Sequence, residues 1–488
     1  MRHKREQFLA GLVVFLGIAF ITVIGLETVR VAGFPKSNFD FLPLDNTVYA
    51  IEWADAEGGE QSKYMLEHLG VINYQLVAQA EVLLLPKPYA DAVRISGAGE
   101  KTLAGISYNG VVHPTFILEV GTDSQEVFTA AVNKGFDELV DNDDGDWIYR
   151  FKSDRVIISQ NRDVNNIVAN TAKAVTSYER YADAIHNIPK LSFGNFYINH
   201  KLMNNHLIGS VLNDQFIYSK ELLDIFGVTL GAISADENGV FISSYTNPLR
   251  EGKVKFPGIR DEYQASFTQY IPEGPQLFIG GQDLKTRFYQ MIENLGNPDH
   301  IERNLEGFLI GHNLGDDALK LLNDLFEKEY AIALYEEGAL FVVESSEDIA
   351  EQLNLLAAYY NPQTVSYLLP DGQRARQLVP GEEDQYFEVV DGTFVFQLDE
   401  PLYLRQNDHV SYISRSLDLI NKSIDLEDHY QAKGFEQIIM TADEIVQIQP
   451  QKLHEYVKDY LELSDLPTIT SGFSYYDDGI QTIHFLAW

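Results

Sequence analysis

The hydrophobic pattern of the chain begins with an unbroken apolar stretch. Residues 8–26 carry no charge, and Thr22 alone among them has a polar side chain. As a helix, this stretch would reach about 28 Å, close to the roughly 30 Å hydrocarbon core of a bilayer. The basic residues Arg2, Lys4 and Arg5 stand directly before it. By the positive-inside rule, the pattern predicts a single transmembrane helix with a cytoplasmic N-terminus and the rest of the chain outside.

A cleaved signal peptide is the alternative interpretation of this stretch. The small residues Val31, Ala32 and Gly33 offer a cleavage site. However, the apolar run exceeds the ~7–15 residues usual for a signal peptide, and Glu27 and Arg30 separate it from that site. An uncleaved anchor is therefore favoured. A lipid anchor is excluded because it requires a cysteine, and the chain has none.

After a connector at residues 27–41, the pattern predicts short strands and amphipathic helices. Residues 47–53 form a β-branched and aromatic run that is typical of a strand. Turn residues inside other apolar runs predict hairpins, at Asn109-Gly110, Ser153-Asp154 and Asn238-Gly239. The spacing of Thr122 and Gln125 fits a capping box, and the helix after it would place apolar residues on one face, namely Val127, Phe128, Ala131 and Leu139.

The pattern then repeats. Residues 116–123 and 341–348 match in their apolar, acidic and polar positions at a constant offset, with Glu119 and Glu344 ending equivalent strands. The second copy carries about 29 additional residues, near 361–398, with turns predicted at Pro370-Asp371-Gly372 and Asp391-Gly392. Because each copy is too long for a solenoid repeat, each is interpreted as a domain.

These elements predict an α+β class, with antiparallel sheets covered by helices on one face. The predicted organisation is a cytoplasmic tail (1–7), a transmembrane helix (8–26), a linker (27–41), a first α+β domain (42–247), a linker (248–267) and a duplicated α+β domain (268–488) with the β-rich insertion.

The amino-acid composition of the chain excludes several classes of function. With 488 residues, 45% of them hydrophobic, the chain is long enough for well-filled cores. The absence of cysteine excludes disulfides and thiolate chemistry. The net charge of −36 would repel phosphate backbones and anionic lipids, which argues against nucleic acid as a partner.

No motif predicts chemistry. Serine-hydrolase, phosphate-binding and zinc-protease signatures are absent, so no catalytic, cofactor-binding or metal-binding residue is assigned and no cofactor is expected. The acidic run at 141–146 resembles a calcium loop, but its glycine is displaced by one position and Lys152 stands in place of the bidentate glutamate, so a turn is favoured. His200 and His206 are six residues apart, a spacing unsuited to paired helical ligands, and are interpreted as structural.

The chain resembles a family of uncharacterised bacterial membrane-anchored proteins, defined by a domain of unknown function. The resemblance rests on the anchor, Leu42-Pro43 before the first strand, the run Phe196–Asn199, and Val343–Asp348 at the end of a hairpin. It implies duplicated α+β units after residue 41 and brings no activity or site residues.

Three functions stay open. The preferred one is a non-enzymatic, single-pass membrane protein, located outside the cytoplasm, that acts as an interaction or structural module, with envelope proteins or glycans as partners. The second is a binding module for a small or hydrophobic ligand between the duplicated domains. The third is an extracytoplasmic hydrolase, which would need two carboxylates with displaced pKa values in a pocket.

Overall fold

The structure is a computed structural model. It describes residues 37–54, 63–65, 67–68, 84–97, 99–138, 147–178, 181, 194–211, 226–248, 266–283, 328–344, 348–370, 372–379, 381, 385–426, 430, 438, 442–450, 467–476 and 479–487. The chain divides into two compact units. Unit 1 comprises residues up to 254 together with 478–488, and unit 2 comprises residues 255–477.

Unit 1 is built on a nine-stranded antiparallel sheet, as far as it is described. Its strands are β1 (Thr47–Ala54), β2 (Glu100–Tyr108), β3 (Val111–Glu119), β4 (Ile148–Lys152), β5 (Arg155–Ser159), β6 (Gly194–Asn199), β7 (Phe226–Ala235), β8 (Val240–Pro248) and β20 (Gly479–Ala487). They are hydrogen-bonded in the order β4-β5-β3-β2-β1-β6-β7-β8-β20. Its helices are α1 (Lys87–Ser96), α2 (Gln125–Glu138), α3 (Arg162–Ala169) and α4 (His200–Val211).

The core of unit 1 lies between the sheet and helices α1 and α2. Trp53, Phe116 and Leu118 from the strands pack with Tyr89 of α1 and Phe128 of α2. Burying such large apolar side chains contributes roughly 1.5–3 kcal/mol each. The opposite face of β2 and β3 is covered by a 3-10 turn, Asn38–Phe41, which is formed by the last four residues of the predicted linker at 27–41.

Unit 2 also contains a nine-stranded antiparallel sheet within its described part. Its strands are β9 (Leu277–Gln282), β10 (Glu329–Tyr335), β11 (Gly338–Glu344), β14 (Phe387–Val390), β15 (Thr393–Phe396), β16 (Leu402–Gln406), β17 (Val410–Ser414), β18 (Glu444–Ile448) and β19 (Thr468–Tyr476). The order is β14-β15-β16-β17-β11-β10-β9-β18-β19. Helix α5 (Asp348–Tyr360) contributes Ile349 and Leu353 to a core with Tyr330 and Phe396, and the second helix is α6 (Leu417–Ile424).

A separate hairpin follows α5. Strands β12 (Gln363–Leu368) and β13 (Arg374–Val379) pair with each other in a sheet of their own. We call residues 363–379 the arm. It lies within the predicted β-rich insertion, so the prediction of a hairpin turning near Pro370 and Gly372 is confirmed.

The two units share one order over seven strands. Unit 1 runs β4-β5-β3-β2-β1-β6-β7, and unit 2 runs β16-β17-β11-β10-β9-β18-β19, with the β14–β15 hairpin added at its edge. The registers correspond as well, since Phe116 pairs with Leu103 and Ile158, and Phe341 pairs with Ile332 and Ile413. The ladders therefore supply a position-by-position equivalence between the units.

The predicted α+β class is wrong. Strand accounts for 48% and helix for 29% of the described residues, so the structure is mostly β. The expectation that helices cover one face also fails for the central strands. Every residue of β5 is buried, and β2 and β7 contain six and seven consecutive buried residues, instead of every second residue. Runs such as residues 156–158 are apolar because both of their faces are covered.

The predicted transmembrane helix at residues 8–26 lies outside the described residues, as do the tail at 1–7 and most of the linker at 27–41. Of the helices that the structure describes, none combines the length and the apolar character needed to cross a bilayer. Most residues of the predicted linker at 248–267 also lie outside the described residues.

Local turn predictions are confirmed more often than helix predictions. Asn109 and Gly110 have φ angles of 52° and 80° in the β2–β3 hairpin, and Asp391 and Gly392 have 48° and 76° in the β14–β15 hairpin. The capping box predicted at Thr122 is wrong, because no side chain caps the 3-10 turn at Thr122–Ser124 and α2 begins at Gln125. Val127 was predicted on the buried face but is 44% exposed.

Candidate functional site

The two histidines singled out in the sequence lie on α4, and their side chains contact different strands. The Nε2 atom of His200 is 2.6 Å from Oγ1 of Thr229 on β7, and burial lowers the pKa of His200 to about 4. The Nε2 atom of His206 is 2.7 Å from Oγ of Ser107 on β2. Each ring therefore binds the hydroxyl group of a neighbouring strand, and the two do not meet in a common site.

The acidic run at 141–146 lies outside the described residues. Within the part of the chain that the structure does describe, no three histidine, aspartate or glutamate side chains are grouped so that they could hold a metal ion. Lys152 is exposed at the end of β4.

Sequence reasoning missed a cluster of charged side chains inside unit 1. Glu52 of β1 is 6% exposed and Arg155 of β5 is 1% exposed. Glu52 pairs with Thr102 and Ala54 pairs with Glu100, which places Glu52 and Glu100 diagonally on one face of adjacent strands. Glu119 pairs directly with Arg155. The sheet register thus brings four charged residues, distant in the sequence, to one face.

The guanidinium group of Arg155 is surrounded by acceptors. Its Nε atom donates to Oδ1 of Asn38 at 2.6 Å, and its Nη1 atom lies 2.8 Å from Asp154 and 3.2 Å from Glu119. Its Nη2 atom lies 3.3 Å from Glu100. A buried guanidinium is tolerated only when it is paired and hydrogen-bonded. Here Nε and Nη2 donate hydrogen bonds, and Nη1 takes part in ion pairs.

Glu52 and Glu100, which we call the acid pair, are diagonal neighbours on one face of β1 and β2, and the Nη2 atom of Arg155 donates to Oε2 of Glu100 at 3.3 Å. The hydroxyl of Ser37 donates to Oε2 of Glu52 at 2.6 Å. Burial raises the pKa of Glu100 to about 9, and the charge of Glu52 adds to the rise. Burial likewise raises the pKa of Glu52. Both carboxyl groups are therefore biased towards the neutral form.

The turn at Asn38–Phe41 closes over this cluster. The Nδ2 atom of Asn38 donates to the backbone oxygens of Ile117 at 3.2 Å and Glu100 at 3.3 Å. The ring of Phe41 lies 5.9 Å from the guanidinium carbon of Arg155, within the range of a cation–π contact. The turn is consequently held to the sheet by polar contacts to the cluster as well as by apolar packing.

Unit 2 lacks the cluster at the equivalent positions. Glu329 pairs with Gln282 as Glu100 pairs with Ala54, so Glu329 corresponds to Glu100 and Gly280 corresponds to Glu52. Val410 pairs with Glu344 as Arg155 pairs with Glu119. The carboxylate of Glu329 instead accepts from Oγ of Ser266 at 2.6 Å and from the backbone N–H of Phe267 at 3.0 Å.

The acid pair has the displaced pKa values that the hydrolase hypothesis requires, but its position does not suit a hydrolase. Glu52 is nearly fully buried and both carboxyl groups are already bonded to neighbouring side chains. A substrate could reach them only if the turn at Asn38–Phe41 left the sheet. A signal was present in the sequence, since Glu52 and Arg155 are charged residues inside or beside apolar strand patterns.

An open cleft of about 460 Å³ lies elsewhere in unit 1, lined by Pro43, Asp45, Asn46, Asn166, Ile167, Asn170, Thr171, Ala172 and Lys173. Several of its polar groups already bond to the fold. Asn46 donates to the backbone oxygen of Ser107 at 3.0 Å, and Thr171 donates to that of Phe41 at 2.8 Å. These side chains therefore stabilise the surrounding loops.

The arm of unit 2 exposes apolar side chains on a surface with no covering layer in the described structure. Val365, Tyr367 and Leu368 are 38%, 45% and 69% exposed. Five consecutive residues of β12, from Thr364 to Leu368, are exposed, which means that both faces of this strand meet solvent. On β13, Arg374 and Arg376 are exposed. The adjacent β14–β15 hairpin exposes Val389 and Val390.

The Arg155 cluster and the arm differ in what they offer to another molecule. The cluster is enclosed, and its polar groups bond to one another. The arm presents apolar and cationic side chains to the outside. No protein-family model, no curated protein and no solved structure matches the chain.

Proposed function

We propose that this chain is a membrane-anchored, non-enzymatic interaction module that acts outside the cytoplasm, and that its arm binds an extended acidic segment of a partner protein. The observation that carries the proposal is the exposure of β12 on both faces. A two-stranded hairpin with no packed face is marginally stable in water. A partner that covers the arm would supply the burial that the arm lacks.

The arm has free edges that a partner strand can use. In the described structure β12 and β13 pair only with each other, so one edge of each strand presents unpaired backbone N–H and C=O groups. Addition of a strand to such an edge is a common way of binding an extended peptide, because backbone hydrogen bonds supply affinity and alternate side chains supply specificity.

The charge of the arm favours an acidic partner. Residues 363–379 contain Asp371, Arg374 and Arg376, a net charge of +1, within a chain of net charge −36. Ser366 pairs with Arg376 and Leu368 pairs with Arg374, so both arginines project from one face, whereas Val365 and Tyr367 project from the other. A strand that alternates acidic and apolar residues complements both faces.

The anchor predicted at residues 8–26 would hold this surface near the outer side of the membrane, where envelope proteins are available as partners. A reporter enzyme fused after Trp488 tests this placement. We expect activity of a reporter that works only outside the cytoplasm. Activity confined to a cytoplasmic reporter would contradict it.

The arm's binding is tested with a fluorescent peptide of alternating valine and glutamate and the full-length chain in detergent. Such a peptide places glutamates on one side and valines on the other when extended. Anisotropy should rise on titration, and a peptide of alternating valine and lysine should not bind. Arg374→Glu with Arg376→Glu should weaken binding about tenfold or more. Reversing two exposed charges of the binding surface should reduce the binding free energy by roughly 1.4 kcal/mol.

The matched control is Lys63→Glu with Arg94→Glu, which changes the net charge equally at exposed positions of unit 1. This variant should bind as the unaltered chain does. Equal weakening by both double variants would show a general charge effect and remove the arm from the proposal. If an anionic glycan polymer bound at the arm and the peptide did not, the partner would be a glycan and the proposal of a protein partner would be wrong.

A further inference from the structure

The acid pair places two carboxyl groups in a poorly hydrated site. Glu52 is 6% exposed, the side chain of Glu100 is 14% exposed, and the two are diagonal neighbours on one face of β1 and β2. Two ionised carboxylates are acceptors only and repel each other, whereas a pair that retains one proton can form a hydrogen bond.

We propose that Glu52 and Glu100 hold one proton between them at neutral pH, and that this proton fastens the segment Ser37–Phe41 to the sheet of unit 1. The inference concerns unit 1 and does not depend on the function proposed for the arm. It assigns the charged cluster to a conformational switch that connects the segment Ser37–Phe41 to the sheet of unit 1.

The balance of charges around the pair supports one retained proton. Four carboxyl groups face a single guanidinium, since Glu119 and Asp154 approach Arg155 together with Glu100, and Glu52 lies behind Glu100. From the remaining elements, Asp40 of the turn and Tyr181 face the pair, and burial followed by the charges of Glu52 and Asp40 raises the pKa of Tyr181. Lys101 occupies the neighbouring strand position, on the opposite face.

Loss of the proton would act on the segment directly. Ser37 donates to Glu52, and Asn38 lies between Arg155 and the backbone of Glu100. A second negative charge in the pair would repel the first across adjacent strands in a poorly hydrated site. The readiest relief is entry of water, which requires the turn at Asn38–Phe41 to move away from β2 and β3.

The equivalent place in unit 2 provides a matched control. Glu329 occupies the position of Glu100, but Gly280 stands in place of Glu52, so no acid pair exists there. Substituting Glu329→Gln removes a carboxyl group of similar position without touching a shared proton.

The proton is detected by infrared difference spectroscopy of the full-length chain, labelled with ¹³C at the glutamate side-chain carboxyl carbon. At pH 7 we expect the C=O stretching band of one neutral carboxylic acid. The band should disappear in the double variant Glu52→Gln with Glu100→Gln, persist in Glu329→Gln, and disappear in the unaltered chain above about pH 9. Absence of the band at pH 7, or its persistence in the double variant, would overturn the shared proton.

The fastening role is tested by amide hydrogen exchange at Phe39 and Leu42, whose N–H groups bond to Ser37 and to the backbone oxygen of Phe39. After correction for intrinsic exchange, protection of these amides should fall about tenfold or more as pH rises through 9 in the unaltered chain. It should stay constant in Glu100→Gln, which keeps a neutral side chain at that place. Equal loss of protection in both proteins would show that another group releases the segment.

Discussion

Arg155 shows how a single buried charge constrains its surroundings. The strand that contains it is buried along its whole length, and the side chain is 1% exposed. Removing a charge of this kind from water costs several kcal/mol, which is recovered only through close partners. Asn38, Glu119 and Asp154 supply those partners from the turn at Asn38–Phe41, from β3 and from the β4–β5 turn. The residue thereby ties three segments together.

Substituting Arg155→Met should lower the free energy of unfolding of unit 1 by about 3–5 kcal/mol, because it leaves the carboxyl group of Glu100, which is 14% exposed, and the buried amide oxygen of Asn38 without the cation that they contact. Urea unfolding monitored by tryptophan fluorescence measures the change. The control Arg94→Met removes an exposed guanidinium of unit 1, 3.1 Å from Asp91, and should cost under about 1 kcal/mol. Similar losses in the two variants would mean that the buried cluster does not stabilise the fold.

The acid pair also predicts a pH dependence of stability. A carboxyl group whose pKa is raised from 4.5 to about 9 on folding binds more protons in the folded state across that window. The free energy of unfolding therefore falls as pH rises through it. Between about pH 5 and 8 we expect a loss on the order of 2 kcal/mol, discounted for residual solvation. Chemical denaturation at several pH values should show this slope, and Glu100→Gln should flatten it.

A slope that is unchanged in Glu100→Gln, or that rises with pH in the unaltered chain, would contradict this assignment. The variant Glu329→Gln serves as the control, since it lies at the equivalent position without a second acid and should keep the slope of the unaltered chain.

At the scale of the strand, aromatic side chains of unit 1 lie over glycines on neighbouring strands. Tyr49 pairs with Gly105 and Phe196 pairs with Gly231, and the ring in each pair occupies the space where a Cβ atom of the glycine would stand. Because a glycine presents no side chain to that face, the ring can lie flat on the partner strand. These pairs contribute to fixing the register that assembles the Arg155 cluster.

Gly231→Ala should destabilise unit 1 by about 1–3 kcal/mol, because the added methyl group meets the ring of Phe196 and forces it from its place. Gly121→Ala is the control, since a Cβ atom there meets nothing within 4 Å, and it should change stability by less than about 0.5 kcal/mol. Thermal unfolding of both variants measures the difference. An unaffected Gly231→Ala would show that the strands adjust without cost.

The elements that could be predicted from the sequence are those specified locally. Asn109-Gly110 and Asp391-Gly392 adopt the positive φ angles that their residue types favour, so their hairpins are confirmed. The Arg155 cluster could not be predicted in this way, because residues 52, 100, 119 and 155 meet only through the register of four strands. The α+β class failed because apolar runs that suit helix-covered strands are equally suited to strands buried on both faces.

At the scale of the whole chain, two units with the same strand order carry different additions. Unit 1 holds the acid pair and Arg155, where unit 2 has Glu329, Gly280 and Val410. Unit 2 holds the arm after α5, in the insertion that the longer second repeat indicated. The same order of strands therefore carries an internal charged cluster in unit 1 and an exposed hairpin in unit 2.

The most direct test of the proposed function is hydrogen–deuterium exchange of the full-length chain with and without the alternating valine–glutamate peptide. Strand addition should slow exchange in residues 363–379, most strongly along the outer edge of β12 or β13, and leave the β14–β15 hairpin unchanged. Arg374→Glu with Arg376→Glu should reduce this protection at the same peptide concentration, as its weaker binding requires. Protection that appears elsewhere, or none under conditions in which the peptide is bound, would contradict the arm as the binding surface.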